Sequence, residues 1–412
     1  MIDALASGLD DELIDIRRRL HAFPELSYRE FATTATLIER LEAAGLAPQR
    51  LAVGTGLVCD IPGAAPGPLV VLRADIDALA TDDLSESEYR SRHDGVSHAC
   101  GHDAHSAIVL GAGLVLQAIA QTEGLPGTVR LIFEPAEEAV PGGAVAVIEE
   151  GWVAGAAYVL GLHCDPKTDV GRIGLRRGRL TASADAVRIV VSGPGGHTAR
   201  PHLTVDLIRV LAELAVALPD EVRRRLGDAD GPDGPDGPDS PDRDVVMVFG
   251  AIEAGDAANV IPATGEMRCV LRIADPEAWS RGEDAVREAV AELLQGSGAD
   301  FEVHYERGAP PVVNDPSAID ILARAAQDVV GPAGVVEAPT SMGADTFSWY
   351  GAHARAGYAR LGTHSGGRRL DLHASTFDID ERAIGIGVRL LSTAALLALG
   401  PPGRGASGAA AV

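Results

Sequence analysis

Between positions 97 and 105 the chain reads Ser97-His98-Ala99-Cys100-Gly101-His102-Asp103-Ala104-His105, with a thiol two residues from an imidazole in a sequence that has only four cysteines. Further on, Phe133-Glu134-Pro135-Ala136-Glu137-Glu138 sets adjacent carboxylates just past an apolar run. Thiolate, imidazole and carboxylate together are the donors of a borderline-soft divalent ion such as zinc. Carboxylates beyond those a structural site consumes point to activation of water. The residues therefore point to metal-dependent hydrolysis. A buried cysteine is ordinarily a small hydrophobe, which suits Cys59 and Cys269. Cys100 differs because its neighbours are polar. His98 and His105 read as residues behind the ligands or on a helix surface.

The pattern around these residues alternates strand and helix. Leu69–Leu72, Val129–Phe133 and Tyr158–Leu162 are short apolar runs of buried-strand type, and an apolar helix is expected from about Ser106 to Gln121. Leu13, Ile16, Leu20 and Phe23 recur at helical spacing, and Ser27 with Glu30 reads as a capping box for a second helix. Such alternation predicts an α/β fold with a mostly parallel sheet covered on both faces. Asp75, Glu137, Glu138 and His163 then fall just after strand carboxyl ends, the edge where open α/β sheets bind ligands.

From about Ala182 the order changes to strand, helix, two strands, helix, strand, which is a ferredoxin-like α+β unit. The expected division is a catalytic domain over 1–181 and 311–400, an inserted domain over 182–310, and a tail at 401–412. Within the insert, the Gly-Pro-Asp repeat at about 227–244 reads as a disordered loop.

Composition narrows the function. A length of 412 residues suggests roughly two domains. The formal net charge of −24 argues against nucleic acid and anionic membrane surfaces as partners. The cysteines do not form a disulfide framework, and the start lacks a basic segment followed by an apolar core, so a cytoplasmic location is expected. No apolar run in the sequence reads as a membrane span.

Six motifs occur in order: Arg73-Ala74-Asp75-Ile76-Asp77-Ala78-Leu79, His98-Ala99-Cys100-Gly101-His102-Asp103, Pro135-Ala136-Glu137-Glu138, Gly195-Gly196-His197, Asn259-Val260-Ile261-Pro262 and Asp371-Leu372-His373. Together they resemble the metal-dependent N-acyl-amino-acid amidohydrolases, a group with bacterial aminoacylases, hippurate hydrolase and the indole-acetyl-amino-acid hydrolases, related to carboxypeptidase G. The resemblance implies a zinc-exopeptidase-like fold whose inserted domain is a lid and dimerisation domain. It implies two divalent ions per subunit (zinc or manganese, with cobalt a third candidate) held by Cys100, His102, Glu138, His163 and His373. Glu137 would be the base that activates a metal-bound water, and Asp75 a carboxylate orienting a ligand.

His197 would reach the active site of the neighbouring subunit and stabilise the oxyanion, which requires a homodimer. Asn259 and Arg272 would hold the substrate, with Arg268 a competitor for the role of Arg272. The substrate would be an N-acyl amino acid or a short peptide-like amide. A dipeptidase or an N-acetyl-intermediate deacetylase of the same fold is an alternative, and a cysteine-nucleophile hydrolase built on Cys100 is a rival of another class. Two departures stand out. The wider two-metal peptidase family usually has histidine at Arg73 and an aspartate bridge at Cys100, and many relatives carry Ser-Glu-Asp where this chain has Ala344-Asp345.

Overall fold

The structure, a computed structural model, describes residues 1–227, 244–367 and 369–400. The expected Gly-Pro-Asp loop, but for its end residues, and the tail from 401 lie outside the described residues. In chain order the longer elements begin with α1 (Asp10–Ala22), α2 (Phe31–Ala43), β1 (Leu57–Ile61), β2 (Leu69–Asp75), α3 (His102–Thr122), β3 (Thr128–Glu134), β4 (Ala156–Asp169) and β5 (Ile173–Leu175). Next come β6 (Asp185–Ser192), α4 (Leu207–Leu226), β7 (Val245–Glu253), β8 (Thr264–Ile273), α5 (Gly282–Leu293) and β9 (Asp300–Glu306). The chain closes with α6 (Pro316–Val330), β10 (Val335–Glu337), β11 (Arg355–His364) and α7 (Arg382–Leu399). Two compact units result, one from residues 1–178, 313–339 and 346 onward, the other from 179–312 with 340–345.

The first unit is built on an eight-stranded sheet in the order Gln49–Arg50, β1, β3, β2, β4, β11, β5, β10. Strands β3, β2, β4 and β11 run parallel to one another. Val70, Val71 and Leu72 of β2 are completely buried, as a strand covered on both faces requires. One face carries the main core, to which α1, α3, α6 and α7 contribute Leu13, Ile108, Leu322 and Leu391. The other is covered by the helix Gly143–Glu149 and the 3-10 helix Thr346–Ala352. By length and composition α3 and α7 could each cross a membrane, but 83% of the α3 window is buried inside this unit and α7 packs on α3 and α6. Their apolarity is that of core helices.

Two local expectations change. Ser27 and Glu30 form no capping box: the Ser27 hydroxyl donates to Asp77 and the Glu30 carboxylate accepts from the Ala136 amide, while Glu25 accepts the Ala32 and Thr33 N–H groups of the first turn of α2, which begins at Phe31. Strand β4 runs on to Asp169, which puts His163 inside the strand rather than past its end. Register still brings it to the same edge. Asp75 pairs with Glu134, and Arg73 with Gly161, so His163 lies level with Asp75.

The second unit is an antiparallel sheet in the order β7, β8, β6, β9 with strand–helix–strand–strand–helix–strand connectivity. Along β8, Met267, Cys269, Leu271 and Ile273 point into the core while alternate residues are more exposed, the pattern of a sheet with one solvated face. Against the buried face lie α4, through Leu207, Leu211, Leu214 and Leu218, and α5, through Val286 and Val290. Asp206 caps α4 by accepting the Arg209 N–H, which starts that helix at Leu207. The second helix of the unit is preceded by a short helical piece, Pro276–Ser280.

Candidate metal centre

Cys100 and His102 flank Gly101, which caps α3 at φ +87. A Cβ there would lie 3.0 Å from Cys164 Cβ, so glycine lets the Cys-Gly-His turn press against β4. The His102 ring is fixed by Nδ1, which donates to the Asp77 carbonyl at 2.9 Å. Its Nε2 is buried and without a hydrogen-bond partner among the described residues. His163 is held the same way: Nδ1 donates to the Cys164 carbonyl at 2.8 Å, and Nε2 faces the Cys100 sulfur at 3.4 Å.

The Pro-Ala-Glu-Glu turn is shaped from below by two acids. Asp77 Oδ1 accepts the Glu137 N–H and Oδ2 the Glu138 N–H, each at 3.0 Å, while Glu30 accepts the Ala136 N–H at 2.7 Å. Ala136 sits at φ +54 and His373 at φ +64. For a residue with a Cβ that left-handed conformation costs on the order of 1–3 kcal/mol, and such strain persists where the surroundings over-determine it, commonly at functional sites. His373 is anchored by its own N–H, which donates to the Ala99 carbonyl at 2.8 Å.

These turns bring all five predicted ligands together. Ligand atoms of Cys100, His102 and His163 lie within 4.8 Å of one another, and so do those of Cys100, Glu138 and His373. The Cys100 sulfur is common to both triads. Glu138 Oε1 is 3.2 Å from His373 Nε2 and 4.0 Å from His102 Nε2, yet makes no hydrogen bond among the described residues. Buried polar atoms without hydrogen-bond partners, such as His102 Nε2 and Glu138 Oε1, are expensive unless a cation fills the space between them.

Titration behaviour says the same. Burial disfavours the His102 imidazolium, but the groups around it, the Asp75 charge foremost, outweigh it and hold its pKa well above the ordinary value. Burial drives the Cys100 thiol well above its ordinary range, and burial keeps His163 neutral, with its pKa well below the ordinary value. The carboxylates of the cluster call for positive charge, which a proton on His102 supplies in the metal-free protein. A divalent ion would meet that demand and deprotonate the thiol.

Glu137 lies beside this cluster. Its Oε1 accepts the Thr346 N–H at 3.1 Å and its Oε2 is 3.9 Å from His102 Nε2. Asp75 accepts from His105 Nδ1 at 2.6 Å and from Arg73 at 2.6 Å, and lies 3.8 Å from His102 Nε2. Burial would raise its pKa, but His102, His105 and Arg73 hold it well below the usual carboxylate range. His105 Nε2 accepts the Cys164 N–H at 2.8 Å, which commits its Nδ1 proton to Asp75. The carboxylate next to the His102 ring Nδ1 is instead Asp77, with Oδ1 at 3.3 Å. Sequence reasoning missed that role, as it missed Glu30 and Thr346, while His105 lies behind the ligands as one of its two readings had it. The available signal was the Asp75-Ile76-Asp77 spacing, which gives two acids at the end of one strand.

The remaining candidates belong to the second unit. Gly196-His197 pairs with Val260-Ile261, which sets His197 opposite Val260 and beside Asn259. A Cβ at Gly195 would be 2.7 Å from the Ile261 carbonyl, so the first glycine of Gly-Gly-His is what permits this approach. His197 is exposed, and its Nδ1 accepts the Ala199 N–H at 3.0 Å, which leaves the proton on Nε2. Arg272 on β8 is half-buried and donates to the Met342 carbonyl at 2.7 Å, whereas Arg268 is paired with Glu253 and Glu266. Both arginines line a cavity of about 730 Å³ on the open face of this sheet.

Residues 71–397 match Peptidase family M20/M25/M40, and the chain belongs to that family. It is 41% identical over 388 residues to a Rhodococcus jostii protein named as a glutamate–cysteine ligase; that match covers 94% of this chain but only 47% of the relative, so the chain spans about half of that protein's length. It is 36% identical over 382 residues to the N-acetyl-L-cysteine deacetylase of Bacillus subtilis, covering 92% of this chain and 86% of the relative. Among solved structures, the YXEP protein of Bacillus subtilis, a dinuclear metal-binding peptidase of the M20 family, superposes with a TM-score of 0.80 at 29% identity over 95% of this chain and 99% of that one.

Proposed function

We propose that the chain is a metal-dependent amidohydrolase that cleaves N-acyl amino acids or short peptide-like amides, with Glu137 as the base. The observation that carries this is the Cys100 sulfur shared by two donor triads, with the Glu137 carboxylate beside them. Cys100, His102, Glu138, His163 and His373 would hold two divalent ions, zinc or manganese, with cobalt a third candidate. The unpartnered His102 Nε2 and Glu138 oxygen fit that group, and the dinuclear relative supports the number. Bound there, the ions would lower the pKa of water and polarise the amide carbonyl.

The chain's own residues account for the rest. Glu137 takes the proton at Oε2, because Oε1 is committed to the Thr346 amide, and delivers it to the leaving nitrogen. Asp77 holds the two glutamates and the His102 ring in place. His197, from a partner subunit, offers Nε2–H to the developing oxyanion. Arg272 pairs with the substrate carboxylate, and Asn259, beside His197, binds the amide. A guanidinium whose hydrogen bond goes to a carbonyl suits that role better than Arg268, which already has two carboxylates.

A cysteine-nucleophile mechanism is disfavoured by burial that pushes the Cys100 thiol up rather than down. The homodimer is supported by an exposed apolar stripe on α4, where Ile208 is 53% and Val216 78% exposed. Under this reading the inserted unit is the lid and dimerisation domain and the enzyme works in the cytoplasm, where its four free thiols stay reduced.

The test is hydrolysis of N-acyl amino acids, N-acetylcysteine among them, by metal-stripped protein before and after adding Mn²⁺ or Zn²⁺, beside Glu137→Gln. Restored activity that the substitution abolishes is the expected result. Activity without metal, or undiminished in Glu137→Gln, overturns the assignment.

A further inference from the structure

Glu134 ends β3 and is completely buried. Its Oε2 accepts from Arg73 Nε at 2.7 Å and from the Tyr350 hydroxyl at 2.8 Å, and its Oε1 from the Thr346 hydroxyl at 2.5 Å. Arg73 is 1% exposed and also donates to Thr346 Oγ1 at 3.0 Å and to Asp75 at 2.6 Å. The Thr346 hydroxyl thus gives its single proton to Glu134 and a lone pair to Arg73. Its methyl group is confined as well: a Cβ at Gly142 would lie 2.3 Å from Thr346 Cγ2. The backbone N–H of this same residue holds Glu137 Oε1.

A buried ion pair of this kind adds little to stability that well-packed apolar residues could not supply. Its geometry is what apolar residues cannot reproduce. Three side chains, Arg73 from β2 and Thr346 and Tyr350 from the Thr346–Ala352 helix, converge on Glu134 of β3, and the amide of Thr346 sets one oxygen of Glu137.

We propose that Arg73, Glu134, Tyr350 and Thr346 act as a positioning device for Glu137: they fix the Thr346 amide, which anchors Oε1 and presents Oε2 to the donor cluster. This role rests on Glu137 being the base. It also gives Arg73 a function of its own at a position where it cannot ligate a metal.

Thr346→Val keeps the shape and removes the hydroxyl, while Thr346→Ser restores it. The experiment measures kcat and KM for an N-acyl amino acid on metal-reconstituted protein, and metal per chain by elemental mass spectrometry. Thr346→Val is expected to lower kcat roughly 10- to 100-fold, the scale of a misplaced catalytic group, with KM and metal content unchanged and with Thr346→Ser restoring the rate. In a Glu137→Gln background, Thr346→Val should cause no further loss, because no base remains to be positioned. Unchanged kcat in Thr346→Val, a Thr346→Ser variant as slow as Thr346→Val, or metal content falling in step with kcat would overturn the role. Should Thr346→Val fail to fold, Tyr350→Phe is measured in the same way, with the same outcomes. An active Glu137→Gln protein would refute the base itself; an inactive one beside an unimpaired Thr346→Val would refute only the positioning.

Discussion

Asp77→Asn tests how much of the centre depends on one buried acid. Asp77 is 1% exposed and its carboxylate serves three donors, the N–H groups of Glu137 and Glu138 at 3.0 Å each and the Ser27 hydroxyl at 2.7 Å, while Oδ1 lies 3.3 Å from the His102 ring nitrogen whose proton goes to the Asp77 carbonyl. Burial would raise its pKa, but His102, Ser27 and the backbone amide outweigh it and lower it, so the wild-type group is charged at neutral pH. Asparagine has the same shape but one oxygen and one NH₂. If its oxygen keeps the two donors on Oδ2, its NH₂ faces the Glu137 N–H. A hydrogen bond to a charged group is worth about 1.5–3 kcal/mol, so losing this one costs roughly 1.5–3 kcal/mol in the metal-free protein.

The turn carrying Glu138 and the ring of His102 loosen together. Loss of such a supporting partner typically weakens metal binding by about 10- to 100-fold. Urea unfolding of stripped protein measures the first quantity, and competition with a chromogenic zinc chelator the second. Zinc affinity equal to wild type in folded Asp77→Asn would refute the claim that Asp77 orients the ligands.

Three further outcomes follow from particular contacts. Burial would lower the pKa of His21, but the charge of Asp103 and the acceptance of its ring protons by Asp103 and Asp83 outweigh it and raise it from 6.5 to about 9. Its contribution is therefore complete below pH 6.5 and lost as pH rises through about 9, a difference of about 3 kcal/mol. Urea midpoints at both ends of that range should show the loss in wild type and not in His21→Asn. Gly143→Ala would place a Cβ 1.9 Å from the Pro135 carbonyl oxygen; the turn bearing Glu137 must move, and kcat should fall by about tenfold or more in protein that still folds. On α4, the double substitution Ile208→Asp, Val216→Asp should convert a dimer to a folded monomer by light scattering, whereas a wild-type protein already monomeric would remove the basis for His197 acting in trans.

The donors of the centre were legible because their types are unusual and their places are local. A thiol and an imidazole around Gly101, or two glutamates after a buried strand, announce themselves within a few residues. The parallel sheet was legible from fully apolar runs such as Leu69–Leu72. The capping box was misread for an instructive reason. Ser27 and Glu30 have the right spacing for a helix start, yet both are drawn into tertiary bonds with Asp77 and Ala136, and Glu25 caps the first turn in their place. No periodicity encodes such competition.

The same limit explains why the supports of Glu137 stayed hidden while Glu137 did not. What orients the glutamate is a backbone N–H 209 residues away, and every residue has one except proline. Sequence can say which side chains are capable of chemistry. It cannot say which amide will face them, because that depends on strand register and on a strained turn such as the one at Ala136. In this centre the donors come from motifs, but their aim comes from Asp77, Glu30 and Thr346, residues whose types are ordinary. A variant that keeps every motif and alters one of those three is the sharpest separation of the two contributions: the ligand set would be intact, and a large loss of rate could only be a loss of aim.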